Sequence, residues 1–392
     1  MGKMEFERHC WAEIDLDALR HNFAAIQQRV NGNICAVVKA DAYGHGDLAV
    51  AHTLQTAGAA AFAVSCLEEA KRLRRHGITG AILILGYTDP AYAATLAAND
   101  ITQALFSSEY AAALSAAAQK AGCKVGCHLK LDTGMGRIGF AARTDFDGAI
   151  AAMEGCYTLP GLQLTGIFQH FAVADSTAAG NVAYTDEQHD LFTRAVERLR
   201  ADGFDPGTVH CANSAAQMTH PEWRHDLTRA GIILYGLDPS PEVRFGLCPI
   251  MTLKAVVTFV KELQPGQSVS YGRTFTAEQP TRVATVSVGY ADGYPRLLSG
   301  KGIMMVDGRP APVLGRVCMD QTIVDVSGIP SAKMGDEVTV FGPHCPDTAD
   351  TVAGKTGTIN YEVTCGISRR VPRVYLENGR STSIWNDLEE ET

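Results

Sequence analysis

Residues 34–38 (Ile-Cys-Ala-Val-Val) form an apolar run, and Lys39 follows it directly. Desolvating an ammonium group at such a place is costly, so the position favours a lysine that loses its charge. A Schiff base with an aldehyde does that; the bland alternative is a lysine whose stem lies along the strand while its head reaches water. Other groups able to do chemistry come later: Asp132 to Arg137, then His170, Asn213-Ser214, and Arg229 with Gly231-Ile232. Ser214 offers a hydroxyl, and Gly231 and Ile232 can present backbone N–H groups to a phosphate, because glycine lets the chain approach closely. Arg229 is a generic phosphate ligand as well. Taken singly, Gly231 fits tight strand-to-helix packing equally well.

For these residues to meet, a set of short strands must end at one place. From Trp11 to about Gly236, β-like runs alternate with helical patterns, the rhythm of βα units around a parallel sheet. Asp15 or Asp17 can cap a first helix whose apolar residues Leu19, Phe23, Ile26 and Val30 recur at three- and four-residue steps, with Asn31-Gly32 ending it. Strands are predicted at 34–38, 62–64, 82–85, 103–106, 125–131, 162–168, 208–211 and 227–229, separated by helices such as 108–121 and 186–200. Eight is the number that closes a TIM-like (β/α)8 barrel, whose active sites lie on the loops after the strands. Lys39, Arg137, His170, Ser214 and Arg229 then face one bowl. After Pro239-Ser240-Pro241 the pattern changes to β-branched runs at 255–260, 283–288, 303–306, 322–326 and 337–341, divided by turn sequences. The fold class is therefore α/β, with an N-terminal barrel over 11–239 and a C-terminal mostly-β domain over 240–387. Residues 1–10 are expected to pack with that second domain, and the acidic end beyond Asp387 is expected to fray.

Composition bounds the function. A chain of 392 residues, 46% hydrophobic and 20% charged, can bury a large core. Its net charge of −9 and scattered Lys and Arg give no footprint for nucleic acid or a membrane surface, and no apolar stretch is long enough to span a bilayer. Eleven cysteines, an odd count without Cys-x-x-Cys spacing, fit a reducing cytoplasm. Two motifs carry no weight. Gly354-Lys355-Thr356 echoes a phosphate loop but lacks its first glycine, with Ala349 in that place. Cys123, Cys127 and His128 hint at zinc, yet on one strand the two cysteines would lie roughly 13 Å apart, which favours packing roles.

Taken in order, residues 36–46 (AVVKADAYGHG), 131–137 (LDTGMGR), 170–172 (HFA), 212–216 (ANSAA), 229–232 (RAGI), 270–273 (SYGR), 289–294 (GYADGY), 318–320 (CMD) and 370–373 (RVPR) resemble the alanine racemase family, of pyridoxal-phosphate fold type III. The match runs almost end to end. It implies an isomerase that interconverts L- and D-alanine, with pyridoxal 5'-phosphate held by Lys39. Lys39 is then also the base on the D face and Tyr271 the base on the L face, the Tyr271 facing a given Lys39 coming from the partner chain of a homodimer. Two opposed acid/base groups suit a reaction that removes a proton on one side of Cα and delivers one on the other. Lysine and tyrosine side chains both titrate near ~10 when free, so the surroundings must tune such a pair.

The same resemblance sets His170 between Arg229 and Tyr271 in a relay, and Arg229 against the cofactor's pyridine nitrogen. A guanidinium resists giving up its proton, which weakens electron withdrawal by the ring and disfavours transamination. Arg137 and the backbone N–H of Met319 serve the substrate carboxylate; Tyr43, Ser214, Gly231, Ile232 and Tyr361 serve the phosphate. Lys130 aligns with a lysine that some members carbamylate, an ordinary ion pair being the alternative. A serine or broad-spectrum racemase is the nearest rival, and Tyr361, where serine-specialised members carry a smaller polar residue, favours alanine. A non-catalytic pyridoxal-phosphate carrier would lack the β domain, and a basic amino-acid decarboxylase is a more distant rival. Use of D-alanine for peptidoglycan is the expected role.

Overall fold

The computed structural model describes residues 9–388. Residues 1–8 and 389–392, which include most of the leading segment and the acidic end, lie outside the described residues.

All eight predicted barrel strands form, each within two residues of its expected bounds: Ile34–Val37, Ala61–Val64, Ala81–Ile84, Ile101–Leu105, Val125–Asp132, Leu162–Phe168, Thr208–His210 and Thr228–Ala230. They pair in parallel in that order, and Thr228–Ala230 returns to Ile34–Val37. The barrel is nearly closed; the gap between the last two strands is bridged where the N–H of Asp226 donates to the carbonyl of Val209 at 3.1 Å and that of Arg229 to Ala212 at 3.0 Å. Apolar strands such as Ile34–Val37 and Ala61–Val64 are buried throughout, as expected where helices cover one face and neighbouring strands fill the other.

Local signals fix the flanking elements. The first helix, Leu16–Val30, starts at Asp15, whose carboxylate accepts from the N–H groups of Asp17 and Ala18, and ends on Asn31 in the left-handed conformation. Leu19, Phe23, Ile26 and Val30 are its buried stripe. A cap of this kind is worth about 1 kcal/mol.

The second sheet has nine strands. Its centre is the long strand Met251–Leu263, which pairs antiparallel with Thr281–Val286, Glu337–Phe341 and Cys10–Asp15. Cys10–Asp15 also pairs in parallel with Arg373–Glu377. The boundary drawn at residue 11 therefore falls inside a strand of the β domain, and the chain enters that domain before the barrel. A six-residue run with only two charged side chains carried too little pattern to be separated from the helix behind it. The β domain also contains helices Ala349–Thr356 and Asn360–Cys365, which the β-branched runs did not predict. Gly354-Lys355-Thr356 lies at the C-terminal end of the first of these, where Lys355 pairs with buried Asp347; it is no phosphate loop.

Candidate active site

Lys39 leaves its strand into a turn of rare handedness. Ala40, Asp41, Ala42 and Tyr43 all have φ between 51° and 55°, a left-handed turn that costs roughly 1–2 kcal/mol per residue. Specific bonds hold it. The N–H of Ala42 donates to Val38 at 3.0 Å, that of Gly46 to Asp41 at 2.9 Å, and that of Ala40 to the Glu69 carboxylate at 2.7 Å, while Arg373 Nε donates to the Gly44 carbonyl at 3.0 Å. The other Glu69 oxygen accepts from the N–H of Ser65 at 2.7 Å, so one carboxylate ties together the ends of two neighbouring strands.

This turn forms one wall of a cavity of about 660 Å³ at the C-terminal end of the barrel. Lys39, Tyr43, Lys130, Arg137, His170, Ser214, Arg229, Gly231 and Tyr361 all line it. The cavity is cationic. Burial and the Arg137 guanidinium push the Lys39 amine below its ordinary value, opposed by Glu69. Burial, then Arg137 and Arg229, push Lys130 down to about 8. Burial and four cations, Arg229 foremost, hold His170 well below the usual imidazole range, so it is neutral at physiological pH. Buried Arg229 is lowered to about 10 by desolvation and stays charged.

Phe168 organises two of these cations. Lys130 Nζ lies 5.6 Å and Arg229 Cζ 5.4 Å from its ring centroid, while His210 stacks on it at 5.0 Å. Arg229 donates through Nη1 to His210 Nδ1 at 2.9 Å and through Nη2 to the carbonyls of Gln169 at 2.7 Å and Cys211 at 2.9 Å. The imidazole bonded to Arg229 is thus His210 rather than His170, which meets the guanidinium through its field. Because an arginine only donates, His210 Nδ1 must be the acceptor, and its Nε2–H is then free to donate to His128 Nδ1 at 2.9 Å. Sequence reading missed His210 and assigned His128 to packing. Strand alternation held the signal, since His128 stands two residues before Lys130 and so faces the barrel interior with it. Cys127 and Cys123 instead donate to the backbone carbonyls of Val125 and Ala118.

Where Ser214 and Gly231 line the cavity, Ser214 Oγ accepts from the N–H of Gly231 at 2.9 Å. A Cβ on Gly231 would sit 2.7 Å from the Tyr43 hydroxyl and 3.3 Å from Ser214 Oγ. Bare backbone is required there. Ile232 is fully buried and opens the short helix Ile232–Tyr235 behind this cradle.

The description "Alanine racemase, N-terminal domain" matches residues 14–239, and "Alanine racemase, C-terminal domain" matches residues 250–375. The chain belongs to the alanine racemase family. A relative from Desulfovibrio desulfuricans named alanine racemase is 48% identical over 381 residues, 95% of this chain and all of that one. Among solved structures, the alanine racemase of Clostridium difficile is 38% identical with a TM-score of 0.92 over 97% of this chain and 99% of its own. That of Bacillus anthracis, solved with bound L-Ala-P, is 36% identical with a TM-score of 0.91 over 98% of this chain and all of its own. Alanine racemases depend on pyridoxal phosphate, and the site fits it: a lysine amine of lowered pKa stands at one end of the cavity and a backbone cradle that a methyl group would fill at the other. Two residues that the resemblance assigns to the chemistry do not line this cavity. Tyr271 is 69% exposed and Met319 52% exposed. They belong to one face of the β domain, where Ser270 Oγ meets Cys318 Sγ at 3.3 Å.

Proposed function

We propose that this chain racemises alanine with Lys39 and Tyr271 as opposed proton-handling groups, in a homodimer whose two sites each take residues from both chains. Pyridoxal phosphate, when bound, supplies the electron sink that makes the Cα–H of an amino acid acidic. The observation that carries the reading is the single cavity that gathers Lys39 with Arg137, Lys130, His170 and Arg229, in a chain of this family.

Lys39 Nζ holds or takes the proton on one face of Cα. Burial and the Arg137 guanidinium lower its pKa, the direction that a base requires. Tyr271 serves the opposite face. Its exposure, next to Met319, is what a residue needs if it is to enter a partner's cavity. Arg137 opposes the substrate carboxylate, and the Met319 N–H adds a second donor to it. Tyr43, Ser214, Gly231, Ile232 and Tyr361 hold the phosphate. Arg229, still charged, has no proton demand from a ring nitrogen, and His170 is a neutral imidazole able to relay toward Tyr271. Carbamylation of Lys130 would turn a third cation into an anion beside Arg137. A cytoplasmic enzyme providing D-alanine for peptidoglycan is the role this implies. Among the described residues no helix is long and apolar enough to cross a membrane.

Lys39→Ala is expected to lose both the visible absorbance of bound cofactor and turnover. Tyr271→Phe should keep the absorbance and lose roughly 10²- to 10⁴-fold in racemisation. Mixing the two inactive variants should restore about a quarter of wild-type activity, because half of the random dimers then hold one intact shared site. Full activity in Tyr271→Phe, or no recovery on mixing variants that exchange subunits, would count against the scheme.

A further inference from the structure

On the outer wall of the barrel, away from the cavity, three metal-ligating side chains converge from three elements. His189 lies on the helix Ala179–Ala201, Cys211 follows the strand Thr208–His210, and His225 follows the short helix Pro221–Arg224. Their ligand atoms all lie within 4.8 Å of one another. None of the three lines the cavity that holds Lys39.

Two of the three show a feature that packing alone leaves unexplained. His189 Nε2 is buried and has no hydrogen-bond partner, although its ring is fixed by stacking on Trp223 at 4.1 Å. A buried orphan of this kind is destabilising unless something satisfies it. His225 has φ 43° and ψ −131°, a backbone conformation that favours glycine and is strained in other residues. That strained turn brings an exposed imidazole over Cys211 and His189. Cys211 is fully buried, and its thiol reaches only the Trp223 carbonyl, at 3.3 Å.

We propose that His189, Cys211 and His225 bind a zinc-class divalent cation, with a fourth position open to water on the exposed side of His225. One thiolate and two neutral imidazoles suit a borderline-soft transition ion and not magnesium or calcium. Metal–nitrogen bonds of about 2.0–2.1 Å and a metal–sulfur bond of about 2.3 Å put tetrahedral ligand atoms about 3.3–3.7 Å apart. The ligand atoms lie within 4.8 Å of one another, so binding asks for a contraction of at most about 1.5 Å, to which the exposed His225 side chain can contribute. Partial burial lowers both imidazoles, in the direction of the neutral, ligand form, whereas full burial pushes the Cys211 thiol up to about 12, a cost that the bond to the metal must offset. Asp190 and Glu222 act on His189 and Asp226 acts on His225, which adds negative field for a cation, while Arg200 opposes them at His225. Binding replaces the Cys211 S–H bond by an S–metal bond and releases that proton to solvent. The site is coupled to the catalytic wall, because the Cys211 carbonyl is also an acceptor for Arg229 Nη2.

The test uses chelator-stripped holoenzyme with Co²⁺ as the spectroscopic probe and Zn²⁺ as competitor. Difference spectra between the cobalt and zinc forms of one preparation cancel the cofactor's own absorbance. The expected result is about one equivalent of cobalt, with a thiolate charge-transfer band in the near-ultraviolet, intense visible d–d bands, and displacement by zinc. Cys211→Ser should abolish the charge-transfer band, His225→Ala should weaken binding by more than about tenfold, and Cys66→Ser, at an exposed cysteine elsewhere, should change nothing. Absence of bound cobalt, or bands that survive both Cys211→Ser and His225→Ala, would overturn the proposal. If Cys211→Ser fails to fold by circular dichroism, His225→Ala, at an exposed position, decides the matter alone.

Discussion

The narrowest residue in the site is Gly231. A side chain on its Cα would strike two hydroxyls proposed to hold the phosphate, those of Tyr43 and Ser214. Tyr43 cannot step aside, because its ring is packed 5.0 Å from that of Tyr235 and 6.0 Å from that of Tyr361. Gly231→Ala should therefore cost about 1–3 kcal/mol through overpacking, seen as a roughly ten- to hundredfold weaker uptake of pyridoxal phosphate by the apoprotein. Unchanged uptake would show that the cradle lies elsewhere. Lys130 makes a second residue-scale case. With its amine pushed down to about 8, a substantial neutral fraction exists at neutral to slightly alkaline pH, and a neutral amine can attack carbon dioxide. In ¹³C-bicarbonate, wild type should show a carbamate resonance that Lys130→Arg lacks; identical spectra would leave Lys130 as one more cation.

At the scale of elements, the left-handed turn after Lys39 is the part most dependent on its neighbours. Four successive non-glycine residues with positive φ are held by Glu69 from the barrel side and by the β domain packed against them. Gly44, with φ 84°, continues the turn, and a Cβ there would lie 2.1 Å from the Thr364 carbonyl on the helix Asn360–Cys365. Arg373 binds the Gly44 carbonyl from the same side. Gly44→Ala thus combines a backbone penalty with a clash between domains, and a loss of more than about 2 kcal/mol is expected. Denaturant unfolding measures it, and the visible cofactor band should weaken in parallel, because the turn aims Lys39 and Tyr43 together. A normal band with lowered stability would separate the turn's packing role from its aiming role.

For the whole molecule, acid stability follows from buried imidazoles. Burial, the largest cause in each case, lowers His45 to about 3 and His128 to about 4 and carries His210 well below the ordinary imidazole value. In the unfolded chain these groups take up protons near ~6.5, which the folded state refuses. The stability they allow is fully present above that value and is lost as pH falls through it toward 4. Each such histidine contributes a slope of about 1.4 kcal/mol per pH unit in that window. Asp41, raised to about 6 mainly by burial, works against this by binding a proton in the folded state first. The melting temperature should fall steeply between pH ~6 and ~4; His128→Asn should flatten the fall. A profile without that drop would mean that the imidazoles reach solvent.

The eight barrel strands were legible in the sequence alone, because periodicity and caps are written along the chain, and its ordered short motifs pointed to the family. An apolar run ending in an amine drew attention to Lys39, which the structure places in the cavity wall. What the sequence left undecided depends on residues far apart along it. The strand Cys10–Asp15 joins a sheet built from residues more than two hundred positions away. The left-handed sense of 40–43 is imposed by Glu69, Arg373 and the helix at 360–365. The bond from Arg229 to His210, and the meeting of His189, Cys211 and His225, arise only when the barrel closes and the turn after residue 224 folds back over it. Local pattern sets which elements form; the pairing of buried donors, charges and ligands is decided by their packing.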